Sequence, residues 1–384
     1  MEENKLTPQQ DKNISVLNSK VEWIKLGEVI RQCDERNTKN LKYPVVGINK
    51  DKCFMPTAAN MEGVDTSKYK VISYNMFVFS GMQTGRDVCI RIGLYEEDTP
   101  ALVSPAYTTF KIESSSILPE YFFIFFNRLE SDRYGWFISD SSVRANLDWP
   151  RFLDINIPLP SLSEQRKVVN AWKALREIKE QNESKAKPLM QVCQSYIQEL
   201  KHKYDSVEIG EFIEECNERN VENTYGESFL RGVTSDGIFD HSKAKTQGLS
   251  FGNYKIVSKE NFAYNPSRIN IGSIAVSEEQ KCIISPMYIV FKVVKKSLLP
   301  DFLSLWFRRK EFQRSTLFYA SGSVRDTFGF QEMKNVKIPL PPISVQQAIV
   351  NIYNCANEAK CIAEEADRMS REICPALIQH IINN

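Results

Sequence analysis

Two loops in this chain carry the kind of side chains that hydrogen-bond to base edges. The first is Gly81-Met82-Gln83-Thr84-Gly85-Arg86, with Arg91 shortly after it; the second holds Asn265, Ser267, Arg268 and Asn270. Arginine offers a donor fork that suits guanine, and glutamine or asparagine a donor–acceptor pair that suits adenine. The two glycines of the first loop would let its backbone come close to a duplex. A third element occurs twice, as Ser141-Ser142-Val143-Arg144 and as Ser321-Gly322-Ser323-Val324-Arg325. A small-residue turn ending in arginine suits phosphate contact, with Ser142, Arg144, Ser323 and Arg325 as donors. Plainer readings stand beside these: Arg86 paired with Asp87 on a surface hairpin, and Arg268 tying its loop to a nearby carboxylate. Lys50, Lys52, Lys243 and Lys245 are weaker phosphate candidates.

Other chemistries find little support. Nine cysteines include no Cys-x-x-Cys pair, and the three histidines (His202, His241, His380) are scattered. Zinc wants clustered ligands at short spacing, so no metal is expected. No glycine-rich phosphate loop ending in Gly-Lys-Ser/Thr occurs. The net charge of +1 argues against non-specific coating of DNA but leaves readout through a few basic loops open. The 42% hydrophobic and 25% charged shares describe a soluble globular chain, and no apolar run approaches membrane length. The polar, acidic start predicts a cytoplasmic protein without a secretory signal.

The elements that must hold these loops are written twice. Leu26-Gly27-Glu28 through Asn37 returns as Ile209-Gly210-Glu211 through Asn220, a shift of 183 residues. Leu118-Pro119-Glu120-Tyr121, Ser142-Val143-Arg144 and Ile157-Pro158-Leu159-Pro160 all return at a shift of 181. The expected layout is a flexible tail over 1–20 and a first domain over 21–160. A long helix over 161–205 follows, then a second domain over 206–341 and a final helix over 342–384. Strands are expected at Val71–Tyr74, Phe77–Phe79, Val88–Ile92 and Tyr107–Ile112, and in the second copy at Tyr254–Val257, Ile269–Ala275 and Met287–Val294. Proline at Pro119 and Pro300 suits the first turn of a helix. The expected fold is α+β: two similar α/β domains on two long helices.

Each Ile-Pro-Leu-Pro is followed by a helical stripe, with Ser161 and Glu164 at the spacing of a capping box and Ser344 and Gln347 spaced likewise. Apolar residues then recur every three or four positions, including Val168, Trp172, Ile178, Cys193, Tyr196 and Ile197, and Ile349, Val350, Ile362, Ala363, Leu377 and Ile381. Pro188 should bend or split the first helix. Matching stripes predict an antiparallel coiled coil of about 60 Å, a ruler between two domains. Trp172 belongs to its core on this reading, and Arg308-Arg309-Lys310 to a helix end rather than to DNA.

The chain resembles the specificity subunit of type I restriction-modification enzymes. The resemblance rests on the doubled domain-plus-helix layout and on Ile157 through Gln165, which carries Ile-Pro-Leu-Pro-x-x-x-Glu-Gln in full. Ile338 through Gln346 repeats it with Val345 in place of the glutamate. The resemblance implies a non-catalytic DNA reader with two target recognition domains, each reading half of a bipartite, asymmetric site. Two methyltransferase subunits, which would flip and methylate adenine, and restriction/translocase subunits would be its partners. It also implies that S-adenosylmethionine, Mg2+ and ATP belong to those partners, with no cofactor in this chain. Exposed positions near Ile157–Arg166 and Ile338–Gln347 would dock the methyltransferases. Two other readings remain open: a coiled-coil protein–protein adaptor with two binding heads, and a specificity subunit whose partner fuses methyltransferase and nuclease.

Overall fold

A computed structural model describes residues 21–82, 84–140, 142, 145–242, 248–319 and 327–383, with only the backbone of Arg86. The predicted tail over 1–20 lies outside these residues. The chain divides into two compact units, Met1–Gln181 with Ile362–Asn384, and Asn182–Cys361. Each therefore combines one sheet-rich half of the sequence with parts of both long helices.

In the first unit, strands β1 (Glu22–Lys25) and β10 (Asn156–Leu159) pair antiparallel, Trp23 opposite Pro158 and Ile24 opposite Ile157. The entry and exit of the domain are thus tied at one place, directly before the helix. Its central sheet runs β2 (Ile30–Cys33), β9 (Thr108–Ile112), β6 (Met76–Ser80), β7 (Arg91–Tyr95), all antiparallel. Phe77 and Phe110 face each other across β6 and β9 with rings stacked at 5.0 Å. Two small ladders complete it, β3 (Val46–Ile48) with β4 (Phe54–Pro56) and β5 (Lys70–Ile72) with β8 (Ala101–Val103). Four helices stand beside the sheets: α1 (Thr84–Asp87), α2 (Pro119–Phe126), α3 (Leu129–Phe137) and α4 (Trp149–Leu153). The apolar face of α2 (Tyr121, Phe122, Phe125, Phe126) is buried against the central sheet, which explains the aromatic run after Pro119.

The second unit repeats this order with its own strands. β11 (Ser206–Glu208) pairs with β20 (Lys337–Pro339), and the central sheet runs β12 (Ile213–Glu215), β19 (Ile289–Val293), β16 (Phe262–Tyr264), β17 (Ile274–Val276). Phe262 and Phe291 stack across it at 4.9 Å, as Phe77 and Phe110 do. Here the outer strands join into one sheet in the order β14 (Phe239–His241), β13 (Leu230–Val233), β18 (Lys281–Ile284), β15 (Lys255–Ser258), with β13 and β18 parallel. Among the described residues the first unit keeps only a single parallel bridge, Val45 to Leu102, at the corresponding junction. Helices α6 (Pro300–Phe307), α7 (Lys310–Tyr319) and α8 (Phe330–Lys334) follow.

The long helices are α5 (Leu162–Lys203) and α9 (Ile343–Asn383). Within the first unit they run antiparallel: Val168 lies beside Leu377 and Ile381, while Lys179 donates to Asp367 Oδ1 at 2.8 Å. Val168, Val169 and Trp172 share the core with Cys374, Ile378 and Ile382. Within the second unit Cys193, Ile197 and Leu200 are buried with Ile349 and Val350. Of the predicted stripe, Ile178, Tyr196 and Ile362 instead face solvent.

Several expectations need correction. Pro188 does not split α5, which continues unbroken through it, and Pro375 sits inside α9 between the buried Cys374 and Ile378. At Pro375 the burial of Cys374 and Ile378 outweighs the backbone hydrogen bond that the proline removes. The box at Ser161 forms, with Ser161 N–H to Glu164 Oε2 at 3.2 Å and Glu164 N–H to Ser161 Oγ at 3.3 Å. The one at Ser344 does not. Pro342 takes the capping place, its carbonyl accepting from Val345 (2.9 Å) and Gln346 (3.1 Å), and Gln347 bonds Asn351 instead. Val88 has φ +49, so strand β7 starts only at Arg91, and Ile269–Ala275 is a 3-10 turn before β17 rather than one strand.

Among the described residues no helix is long and apolar enough to cross a membrane, and no group of His, Cys, Asp and Glu could hold a metal ion.

Candidate nucleic-acid interface

Strand β6 ends at Ser80, and the chain turns at Gly81 toward α1. Gly81 O accepts the Leu147 N–H at 3.0 Å and the Thr84 hydroxyl at 2.8 Å. A Cβ on Gly81 would stand 1.7 Å from Leu147 O, so only glycine permits this approach. The closeness expected of this glycine is thus to the protein's own backbone. Leu147 closes the loop that carries Ser142. The candidate base-reading loop and the candidate phosphate loop are stitched together by one backbone hydrogen bond.

The second unit makes the same stitch. Strand β16 ends at Tyr264, and Pro266 O accepts the Phe328 N–H at 3.0 Å. Phe328 follows the segment that holds Ser323 and Arg325. Leu147 and Phe328 stand at the shift of 181 that relates the two copies.

A buried ion pair holds the first loop from beneath. Lys52, 4% exposed with φ +61, donates to Asp132 Oδ1 at 2.8 Å, and the same oxygen accepts the Ile90 N–H at 2.8 Å. Burial pushes the Asp132 carboxyl up and the Lys52 ammonium down, each opposed by the charge of the other. Lys52 is therefore a structural cation and not a phosphate contact; Lys50 lies 3.4 Å from Asp87. Gly135 on α3 packs so tightly on Ile90 that a Cβ there would come within 2.4 Å of its side chain. Nothing in the spacing of Lys52, Ile90 and Asp132 marks them as neighbours, so this support has no signature in the order of residues.

In the second unit the loop is shaped by its own turns. Asn265 Oδ1 accepts the Ser267 N–H at 3.0 Å, and the Asn265 carbonyl accepts Arg268 N–H at 3.0 Å. Gly272 closes the 3-10 turn with φ +98, a conformation glycine adopts without strain, and a Cβ there would lie 2.3 Å from Ser235 O. Helix α7 packs against this turn, as α3 packs against Ile90.

The candidate residues within the described part of the chain fall into three groups: buried, bonded to a neighbouring carboxylate, and exposed or half-buried. Thr84 and Asn265 are buried, with their side-chain oxygens used in shaping their own loops. Arg91 bonds the buried Asp87 carboxylate, so the acid expected beside Arg86 is engaged by Arg91. Ser142 is exposed and donates to Asp140 Oδ1 at 2.5 Å, which with the Asn146 N–H holds the Asp140 carboxyl below its ordinary range. Ser267 and Arg268 are exposed, Asn270 is half-buried, and the Arg268 guanidinium has no hydrogen bond or ion pair among the described residues. The carboxylate partner considered for Arg268 is absent there. Gln83, Arg144, Ser323 and Arg325, the side chain of Arg86, and Lys243 and Lys245 lie outside the described residues.

Two members of the basic cluster after α6 contact side chains of the protein itself. Arg308 Nη1 donates to Tyr353 OH at 2.8 Å, and Arg309 stacks 4.2 Å from the Trp306 ring centroid.

The model of one protein family, the type I restriction modification DNA specificity domain, matches residues 203–354. Among solved structures, the chain is similar to the S subunit of a type I restriction-modification system from M. genitalium. The two share 11% identity and a TM-score of 0.63, over 96% of this chain and 98% of that one. A second similar structure is the HsdS subunit from Thermoanaerobacter tengcongensis, 18% identical with a TM-score of 0.39, over 95% and 97% of the two chains. A third belongs to a structural study of assembly and conformational transition of the type I R-M system, 17% identical with a TM-score of 0.41, over 95% and 98%. No curated protein matches the chain as a sequence. The likeness at 0.63 shows a shared fold.

Proposed function

We propose that this chain is a specificity subunit of a type I restriction-modification enzyme, a reading supported by the family model that matches residues 203–354, and that each of its units reads one half of a bipartite DNA site. The observation that carries this reading is the repeated stitch. Leu147 N–H to Gly81 O and Phe328 N–H to Pro266 O each tie a polar loop at a strand end to the residue that stands three positions after a Ser-Val-Arg segment in the sequence. Base edges and flanking phosphates lie within a few ångströms of one another on a duplex, so a reader needs the two kinds of loop side by side. The stitch is the same in both units while the loops differ: Gly81 to Arg86 in one, Asn265 to Asn270 in the other. A shared frame with unlike loops fits a target with two unlike halves.

The chain itself supplies recognition in this reading. Methyltransferase subunits would dock on it, flip an adenine in each half-site and methylate it with S-adenosylmethionine. Restriction subunits would use ATP and Mg2+. The helices α5 and α9 would set the number of unread base pairs between the halves.

Mapping methylated adenines in cells with and without the gene tests the whole reading. Loss of a bipartite methylated motif on deletion is expected; an unchanged methylation map sinks the proposal. Inserting one heptad into both long helices should lengthen the gap and leave the bases read unchanged. A gap that stays the same would remove the ruler role.

A further inference from the structure

Helices α3 and α7 each turn one face inward and one outward. On the inward face, Asp132 and Gly135 hold the Ile90 segment, while Phe312 and Thr316 are buried beneath the 3-10 turn at Ile269–Ile271. On the outward face stand Arg133 with Phe137, and Arg314 with Phe318. Members of each pair are four residues apart and so share one helix face. Both pairs fall at the shift of 181 that relates the two copies, so Arg133 corresponds to Arg314 and Phe137 to Phe318.

These residues are conspicuous for what they lack. Phe137 is 77% exposed and Phe318 is 83% exposed. Arg133 and Arg314 are exposed and form no hydrogen bond or ion pair among the described residues. The nearest acid to Arg314 on its helix, Glu311, is engaged by Arg309 at 3.4 Å, and Arg314 acts on that carboxylate only through its charge, without a hydrogen bond or ion pair among the described residues. Trp136, Leu317 and Tyr319 extend the exposed apolar surface, each more than half exposed. Leaving such rings in water is unfavourable relative to covering them, so a covered state is favoured.

We propose that Arg133–Phe137 and Arg314–Phe318 are a second DNA contact in each unit, one that grips the backbone without reading sequence. The inference rests on the specificity-subunit reading above and deepens it. An arginine without an acid partner is complementary to a phosphate, which it can bind through two parallel N–H donors. A phenylalanine one turn away offers a flat apolar face to the adjoining deoxyribose. The pair is identical in both units, whereas the loops beside it differ, so it suits the part of a duplex that is the same at both half-sites. Because the inward face of the same helix holds the reading loop, docking the outward pair would place that loop against the groove. Phosphate contacts fix register in this way without carrying sequence information.

The test uses the full chain assembled with its methyltransferase subunits and a random-sequence duplex as probe. Removing both arginines (Arg133→Ala with Arg314→Ala) should lower the slope of log affinity against log salt by about 2, near 0.9 for each phosphate that is no longer neutralised. Removing both rings (Phe137→Ala with Phe318→Ala) should weaken binding several-fold with the slope kept. Neither change should alter which bases are preferred. All four side chains are exposed, and an unchanged thermal midpoint would verify folding. Wild-type affinity and slope in both double variants would overturn the inference while leaving the specificity reading intact. So would failure of methyltransferase assembly at an unchanged salt slope, which would make the face a protein dock. A wild-type complex without preference for its methylated motif over random duplex would instead defeat the specificity reading itself.

Discussion

Gln165 and Gln346 make the same three hydrogen bonds in their respective units. Gln165 accepts the Leu118 N–H at 2.9 Å and donates to Ser116 O at 2.7 Å and Pro160 O at 2.9 Å. Gln346 accepts the Leu299 N–H at 2.8 Å and donates to Ser297 O and Pro341 O, both at 2.8 Å. Both side chains are fully buried. Each carboxamide locks the first turn of a long helix onto the segment that launches α2 or α6, so the sheet-rich part of each unit is held rigidly on its helix. The glutamine of the Ile-Pro-Leu-Pro-x-x-x-Glu-Gln signature is a structural bolt.

Replacing Gln165 with alanine should therefore lower stability by about 3 kcal/mol, since one buried N–H loses its acceptor and two carbonyls lose a donor. Gln165→Glu should not rescue it, because a carboxylate cannot donate to Ser116 O and Pro160 O. Thermal unfolding of the two variants decides the matter, and a midpoint equal to that of the wild type would refute the bolt.

Asp132→Ala leaves the Lys52 ammonium buried without its counter-charge. A drop in stability of about 3–5 kcal/mol is expected, as for other broken buried pairs. The Ile90 N–H also loses its acceptor, so its amide exchange should speed up. Combining Asp132→Ala with Lys52→Met should recover part of that stability. If the double variant is no better than the single, the buried charge is not the cause.

Tyr264 has a buried hydroxyl without a hydrogen-bond partner among the described residues, at the end of β16 where the first unit has Phe79, one residue before the end of β6. Burial pushes its phenol far up. Tyr264→Phe should stabilise the second unit by about 1 kcal/mol by removing an unsatisfied polar group. A lower melting temperature would show that the hydroxyl has a use.

Arg268→Ala should relax preference at one half-site only, by about 1–3 kcal/mol for the removal of a bidentate bond to a base. Arg86→Ala should act on the other half. Competition binding with single base changes in each half measures both effects. Equal weakening of the two halves by either variant would contradict a division of labour between the units.

Much of the frame was legible in the order of residues. The shift of 181 to 183 residues marked two copies, and the structure repeats the strand order of the central sheet in both. Ser161 with Glu164, and proline at the first turn of α2 and α6, marked helix starts that hold to within a residue or two. These signals are local or periodic, and a few neighbouring residues suffice to produce them. The loops were legible only as chemistry. Composition marked Thr84, Asn265 and Arg268 alike as polar loop residues, yet two are turned inward and one outward.

The sequence by itself determined that this protein is a doubled α+β frame on two amphipathic helices, because burial of a periodic stripe leaves few other ways to fold. Tertiary structure alone decided which polar side chains bind the protein to itself. Gln165 meets Leu118, Lys52 meets Asp132, and Gly81 meets Leu147 only after segments 47 to 80 residues apart in the chain have come together. A polar residue is free for a partner when no internal group claims its hydrogen bonds, and that is settled by distance in space. By this criterion Arg133, Arg268 and Arg314 face outward, unclaimed among the described residues.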